Sequence, residues 1–345
     1  MSTTNSINNR ESGLDIIRVT AIIFVIAGHF FCINTHFIKI PISDINLFFQ
    51  GTLMSLFYVS VPLFVLLTGY LHRRKKYNEI NLKTFKGIWK VINPYIFYSV
   101  LFVLFKIFYL NQDFSVFQSL KSLLNFTVIP YGWYIELYIG LFLLMPFLNI
   151  LFEKLETKKN RLFLIGICIF NSSIPLFFNR GGMQIFPNYF DIIGAITFYF
   201  VGTYIAEYKP KINKIFLALG IIALCLSDAG VSLILNKTFA PIGGQVWSIY
   251  YLTIATALFL TLYDLKYNSR ILSKLSIYTL DIYLCCCIFD ILYYPYFKSR
   301  FFESQQQFFV YILIIVPLVF YSSALVAYIK DFIFSSIKRF LIPKR

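Results

Sequence analysis

Long apolar runs alternate with short polar connections along the whole chain. A helix needs about 20 residues to cross a hydrocarbon core of ~30 Å, and ten runs approach or exceed that length. We therefore predict an all-α, polytopic integral membrane protein with about ten transmembrane helices. The predicted spans are residues 14–35, 47–71, 91–110, 131–152, 162–178, 190–207, 214–235, 246–264, 276–296 and 307–333. Because the connections are short, residues 1–345 are predicted to form one membrane-embedded domain.

The basic residues predict the orientation of these spans. Lys and Arg concentrate in alternate loops, including the segment from Arg73 to Lys90 and the loops around Lys158, Lys211 and Arg270. Short cytoplasmic loops carry such an excess of positive charge. We therefore expect both termini in the cytoplasm and a multi-pass protein of the cell inner (cytoplasmic) membrane.

Composition agrees with a lipid-exposed surface. The chain is 58% hydrophobic and 14% charged, whereas a soluble domain carries about 25% charged residues. The net charge of +15 comes from loops between apolar runs rather than from a basic stripe, so we do not expect a nucleic-acid partner. The six cysteines form no C-x-x-C pair and lie in or beside apolar runs. They are predicted to be buried thiols, with no metal site and no disulfide framework.

The first predicted helix carries three ionisable residues, Asp15, Arg18 and His29. Such residues are costly inside a membrane and mark functional candidates. Arg18 and His29 are eleven positions apart, which at ~100° per residue places them on one helix face, about 16 Å apart along the axis. Asp15 shares that face and can pair with Arg18. The alternative is that Asp15 and Arg18 only anchor the helix at the interface and that His29 only bonds a neighbouring helix.

Five segments carry a resemblance to a known family. The segment GLDIIRVTAIIFVIAGHF contains Arg18, ten residues and then His29. It resembles the first-helix signature of the membrane-bound acyltransferase-3 family. Further along the chain, PLFVLLTGYLHRRK, KVINPY, YGWYIELYIGLFLLMPFL and SIYTLDIYL look like later family motifs in the same order. The resemblance therefore extends over most of the chain.

The resemblance implies an enzyme, a membrane-bound O-acyltransferase. Such an enzyme would transfer an acyl group, most often acetyl, from acyl-coenzyme A to a sugar hydroxyl of a cell-envelope polysaccharide or lipid-linked glycan. His29 would act as a base or transient acyl carrier, and Arg18 would contact the donor. Arg73, Arg74 and Lys75 would attract the anionic coenzyme. Acetyl-CoA, or another acyl-CoA, is then a donor substrate, and no tightly bound cofactor is expected.

The expected partners are acyl-CoA, the glycan acceptor and membrane lipid, and the oligomeric state is not assigned. The alternative function is export or transport of a polysaccharide or a small solute. A transporter often has two halves with matching interrupted helices, and no such pairing is visible in the sequence.

One motif departs from the family pattern. Members commonly have a His shortly after Ile-Tyr-Leu, where this chain has three consecutive cysteines, residues 285–287. Asp281 and Asp290 lie in the same predicted helix, and either could compensate or simply pair with a Lys or Arg elsewhere. Glu136, in the fourth predicted helix, is expected at the depth of His29. It is a candidate to orient the imidazole, as a carboxylate does in acyl-transfer sites.

Overall fold

The structure, a computed structural model, is built almost entirely from helices. It describes residues 11–34, 37–73, 75, 77, 79–113, 115–179, 184–187, 190, 193–242, 244–301 and 309–341. Within these ranges no β-strand occurs, and the only extended pairing is one isolated antiparallel bridge between Pro41 and Thr238. The all-α fold class is therefore confirmed.

Fourteen α-helices occur within the described residues. They are α1 Ser12–His29, α2 Ile45–Phe57, α3 Ser60–His72, α4 Trp89–Phe108, α5 Val116–Leu124, α6 Trp133–Lys154, α7 Lys158–Ser172, α8 Pro175–Phe178, α9 Gly194–Tyr208, α10 Lys214–Ile234, α11 Ile249–Leu262, α12 Arg270–Ile277, α13 Thr279–Phe301 and α14 Ile312–Leu341. A π-helix, Phe30–Asn34, continues α1, and 3₁₀ turns cover Phe37–Lys39 and Leu82–Ile88.

Seven helical segments among the described residues are long and apolar enough to cross a membrane. They are Ser12–Cys32, Ile45–His72, Leu82–Phe108, Trp133–Lys154, Lys214–Ile234, Thr279–Lys298 and Ile312–Ser336. Each coincides with a predicted span, so seven of the predictions are confirmed as potential spans. The protein is therefore a multi-pass membrane protein, while the count of ten and the cytoplasmic termini stay predictions.

The other three predicted spans contain shorter helices. Helices α7 and α9 have 15 residues each and α11 has 14, which at 1.5 Å per residue gives about 21–23 Å. That is less than a hydrocarbon core of ~30 Å. Pro175 explains one interruption, because it stands at the first position of α8 and a proline nitrogen cannot continue the hydrogen bonds of α7.

The chain divides into two compact units. The first unit comprises Met1–Glu79 and Leu144–Ser276, and the second comprises Ile80–Leu143 and Ile277–Arg345. Helix α6 belongs to the second unit up to Leu143 and to the first unit from Leu144. In the first unit α1 packs against α2, α3 and α11, and α10 packs against α2 and α11.

Helices α3 and α9 cross closely in the first unit. A Cβ atom added at Gly69 would overlap the backbone oxygen of Tyr199, and one added at Gly202 would overlap that of Leu66. Small residues allow helix backbones to approach closely where lipid supplies no hydrophobic driving force. Gly69 belongs to the segment PLFVLLTGYLHRRK, which resembles a family motif. The role of this glycine is to allow the close approach of α3 and α9.

In the second unit α13 packs against both α14 and α4, and α5 packs against α4. Pro94 and Tyr95 of the KVINPY motif lie inside α4. The Tyr95 hydroxyl donates to the backbone oxygen of Leu123 at the end of α5, over 2.8 Å. The motif therefore ties the short helix α5 to a membrane-spanning helix.

Candidate active site

The predicted ion pair at the start of α1 is present. Arg18 Nη1 lies 2.8 Å from Asp15 Oδ1. The Asp15 carboxylate is fully buried, and it also accepts hydrogen bonds from the hydroxyls of Ser276, over 2.8 Å, and Ser273, over 3.2 Å. These bonds fix the carboxylate, and the carboxylate in turn aims the guanidinium, because charge-assisted hydrogen bonds are short and directional. The Arg18 side chain remains 24% exposed, so part of it is accessible.

His29 is the last residue of α1 and is half-buried. Directly after it the backbone widens into the π-helix, a conformation that occurs frequently at functional sites. Phe30 and Phe31, the next two residues, are completely buried, so the turn that follows His29 is anchored in an apolar core. Arg18 and His29 therefore lie on one continuous helix, as predicted.

A buried carboxylate that the sequence analysis did not single out lies in α10. Asp228 is fully buried and accepts a hydrogen bond from the Ser55 hydroxyl, one from the Tyr251 hydroxyl over 2.5 Å, and one from the backbone N–H of Ile242 over 2.9 Å. Its position in the middle of an apolar run could have identified it as a candidate from the sequence, since intramembrane carboxylates are rare and usually functional. This network joins α2, α10 and α11.

An aromatic pair connects this network to the C-terminal end of the α1 segment. The rings of Tyr251 and Tyr58 stack with centroids 5.5 Å apart. The Tyr58 hydroxyl is hydrogen bonded to Cys32, which lies three residues after His29. A series of side-chain contacts therefore runs from Asp228 through Tyr251 and Tyr58 to Cys32, close in sequence to His29.

The basic segment after α3 is partly engaged by an acidic residue. Arg73 Nε lies 2.9 Å from one carboxylate oxygen of Glu207, and Arg161 Nη1 lies 3.1 Å from the other. Arg161 also donates to the backbone oxygen of Leu155, over 2.7 Å. The charge of Arg73 is therefore paired within the protein. Of the other predicted donor-binding residues, Lys75 is exposed and Arg74 lies outside the described residues.

Glu136 occupies the first turn of α6 with an exposed side chain. Trp133, one turn earlier, is 47% exposed, and exposed tryptophans are typical of the membrane–water interface. Glu136 belongs to the second unit and His29 to the first. The partnership of these two residues stays a prediction.

The second unit contains a buried carboxylate in the helix where the family His is missing. Asp290 is 2% exposed, and it accepts a hydrogen bond from the Tyr131 hydroxyl over 2.7 Å. The backbone oxygen of Tyr131 accepts a hydrogen bond from Tyr283. Two of the predicted family motifs, the one around Trp133 and the one ending in Ile-Tyr-Leu, are thus joined by these contacts.

Asp281 makes the ion pair that the sequence analysis left open. Its carboxylate binds the ammonium group of Lys330 in α14, and that ammonium also lies 5.4 Å from the ring centroid of Tyr98. The pair is almost entirely buried, with both side chains 11% exposed. A buried ion pair of this kind joins helices, and the arrangement favours a structural role for Asp281 over a catalytic one.

The burial predicted for the cysteines is confirmed for five of the six. All six are free thiols, and five of them are buried. Residues 285–287, the three consecutive cysteines of α13, are each no more than 1% exposed. They pack as small apolar side chains.

Together these features define a multi-pass helical membrane protein in which several buried carboxylates lie on the long apolar helices. The model of the acyltransferase-3 family, described as an acyltransferase domain, matches residues 11–328. The chain belongs to that family, and its class is that of the membrane acyltransferases. No curated protein and no solved structure matches the chain.

Proposed function

We propose that this protein transfers an acyl group, most often acetyl, from acyl-coenzyme A to a sugar hydroxyl of a cell-envelope polysaccharide or lipid-linked glycan. The proposal rests mainly on the arrangement of ionisable residues along α1. Buried Asp15 holds Arg18 in an ion pair, and the same helix ends at His29. Membership of the acyltransferase family supplies the reaction class. The protein would act in the inner membrane of the cell.

Arg18 is the donor-binding residue in this proposal. Coenzyme A carries phosphate groups, and a guanidinium binds phosphate bidentately through its planar fork of N–H donors. Asp15 holds one side of that fork over 2.8 Å, so the group is oriented before the donor arrives. Such preorganisation reduces the conformational entropy that binding must offset.

His29 is the reactive residue. As a base it takes the proton of the acceptor hydroxyl while the oxygen attacks the thioester carbonyl. The carbon–oxygen bond forms, the carbon–sulfur bond breaks, and the proton is delivered to the coenzyme thiolate. In the alternative route the imidazole nitrogen first takes the acyl group and then passes it to the hydroxyl. Both routes need a neutral imidazole and give the same ester and free coenzyme.

The segment of Arg73, Arg74 and Lys75 is proposed to attract the anionic donor to the cytoplasmic side. Long-range attraction needs net positive charge rather than a specific contact. Arg73 lies in an ion pair with Glu207, and Lys75 is exposed, so its charge is accessible to solvent.

The direct experiment uses purified protein in detergent, acyl-coenzyme A and a soluble glycan. An acyltransferase lowers a chemical barrier, so base-labile esters should form without any gradient. An exporter needs two compartments and would leave the thioester intact. Absence of ester, together with transport of unmodified glycan across the membrane of proteoliposomes, would replace this proposal by the transport alternative.

A further inference from the structure

The connection between α11 and α12, residues 263–269, is hydrogen bonded to the start of α1. The Ser12 hydroxyl donates to the backbone oxygen of Leu265 over 2.9 Å. The same hydroxyl accepts a hydrogen bond from the backbone N–H of Tyr267 over 2.8 Å. Ser12 is the first residue of the potential span Ser12–Cys32. The connection therefore lies at one end of a membrane span, where hydrocarbon and water meet.

Helix α12 follows this connection and has two different faces. Ser273 and Ser276 lie three positions apart on the face that contacts α1, and both hydroxyls donate to the Asp15 carboxylate, over 3.2 and 2.8 Å. Ile271 and Lys274 lie on the outer face and are exposed. The helix has only eight residues, about 12 Å, too short to cross a bilayer. An anchored inner face and an exposed basic and apolar outer face are typical of a helix that lies along a membrane surface.

The outer surface carries positive charge without a matching acid. Lys266, Arg270 and Lys274 are all exposed, and residues 265–277 contain no Asp or Glu. Within the part of the chain that the structure describes, none of the three basic residues forms an ion pair. Asp264, the acid that precedes them in the chain, is already engaged by a lysine of α10 over 2.6 Å. This surface can therefore take an anionic partner from outside the protein.

Apolar side chains on the same surface select the kind of anion. Tyr267 and Ile271 are 63% and 73% exposed, and they alternate with the basic residues along the chain. A free phosphate would meet the positive charge but leave these apolar side chains in water. An anionic phospholipid meets both, because its headgroup attracts Lys and Arg near the membrane surface and its acyl chains cover apolar side chains. Aromatic rings such as that of tyrosine are also enriched at the headgroup level.

We propose that the outer surface of α12 and its preceding connection binds the headgroups of anionic phospholipids. This surface consists of Lys266, Tyr267, Arg270, Ile271 and Lys274. A helix of eight residues is unstable by itself in water, so membrane contact on the outer face supports the serine–Asp15 hydrogen bonds on the inner face. Through Asp15, the bound lipid then favours the orientation of Arg18 that binds the donor, and this consequence rests on the proposed function.

Lipid binding is measured on the detergent-solubilised protein with fluorescent phosphatidylglycerol. Each basic residue near an anionic membrane surface contributes about a fivefold factor in affinity. The double variant Lys266→Gln, Lys274→Gln should therefore bind this lipid roughly 25-fold more weakly. The matched control is Lys154→Gln, Lys159→Gln, which changes two exposed lysines in a segment that also contains two glutamates, and its affinity should be unchanged.

Two further ligands identify what the surface binds. Fluorescent phosphatidylcholine, which has no net charge, should bind weakly to the unmodified protein, and inorganic phosphate should not displace phosphatidylglycerol. Equal affinity of the two double variants for phosphatidylglycerol would overturn the proposal. Equal binding of phosphatidylcholine, or displacement of the lipid by inorganic phosphate, would overturn it as well.

The effect on the donor is tested in nanodiscs of phosphatidylcholine, with and without phosphatidylglycerol. With phosphatidylglycerol present, the KM for acyl-coenzyme A of Lys266→Gln, Lys274→Gln should exceed that of the unmodified protein about fivefold or more. In pure phosphatidylcholine the two proteins should have the same KM. An equal rise of KM in both membranes would show that these lysines bind the donor itself, and it would overturn the lipid role.

Ser276→Ala separates lipid binding from its effect on the donor. This variant should bind phosphatidylglycerol normally and yet have a raised KM in both membranes, because the hydrogen bond to Asp15 is lost. An unchanged KM in Ser276→Ala would overturn the coupling between α12 and Arg18. If no ester forms in any membrane, the proposed function fails, and the binding measurement still decides whether the surface binds anionic lipid.

Discussion

Arg18→Lys distinguishes a donor-binding residue from a charge anchor. Lysine preserves the positive charge and can still pair with Asp15 three positions earlier, but it has no planar fork of donors. Lys and Arg have similar helix propensities, so the fold of α1 should be retained. Under the proposed function, the substitution removes one specific interaction, the guanidinium hydrogen bonds to the coenzyme phosphates.

The expected magnitude follows from the geometry. One edge of the guanidinium is held by Asp15 over 2.8 Å, so the donor meets the remaining N–H groups. A hydrogen bond to a charged group contributes about 1.5–3 kcal/mol, and about 1.4 kcal/mol is tenfold in affinity. The KM for acyl-CoA should rise about 10- to 150-fold, with a smaller change in kcat, because the contact exists before the chemical step.

The assay measures ester formation against acyl-CoA concentration in detergent, alongside the thermal midpoint of unfolding. Arg270→Lys is the control, since Arg270 is exposed at the start of α12. Asp15→Asn completes a double-mutant cycle, in which a less than additive combined loss shows that Asp15 acts by aiming Arg18. Full activity and an unchanged KM in Arg18→Lys would refute the donor role and leave Arg18 as a charge anchor only.

Three further predictions concern packing, the buried carboxylate and topology. Gly202→Ala should lower the stability of the detergent-solubilised protein by about 2 kcal/mol or more. In the control Gly220→Ala, an added Cβ meets nothing within 4 Å, so the change should be neutral or stabilising by up to ~1 kcal/mol. A stability change of the same sign in both variants would contradict the close α3–α9 crossing. Asp228→Ala should cost about 3 kcal/mol in chemical denaturation because it leaves buried donors unsatisfied, and a change under ~0.5 kcal/mol would show that the network contributes little. Reporter fusions should place the loop at Lys158 in the cytoplasm and the segment at Ser119 outside, and a cytoplasmic signal at Ser119 would overturn the ten-span topology.

Hydropathy alone predicts most of the helices because the bilayer imposes one simple requirement on every span. That requirement locates the seven long spans, and helical periodicity places Asp15, Arg18 and His29 on one helix. Hydropathy does not reveal how far each helix extends. The interruption at Pro175, for example, shortens α7 to 15 residues, although most of the surrounding run is apolar.

Contacts between distant helices are the part that local pattern cannot supply. Asp15 is held by Ser276, 261 positions away, and Asp281 pairs with Lys330, 49 positions away. Nothing in the spacing of these residues encodes which helices are neighbours. Asp228 is different, because its place within an apolar run was visible in the sequence and needed only the rule that intramembrane carboxylates require partners.

The most direct test of the account compares ester formation by His29→Ala with that by His72→Ala. Both variants lose a histidine of the first unit, but only His29 lies at the end of the Asp15–Arg18 helix. With acyl-CoA and a glycan acceptor in detergent, His29→Ala should make no ester above background, remain folded and still bind the donor. His72→Ala should retain most of the activity. Ester formation by His29→Ala at the rate of the unmodified protein would contradict the central claim.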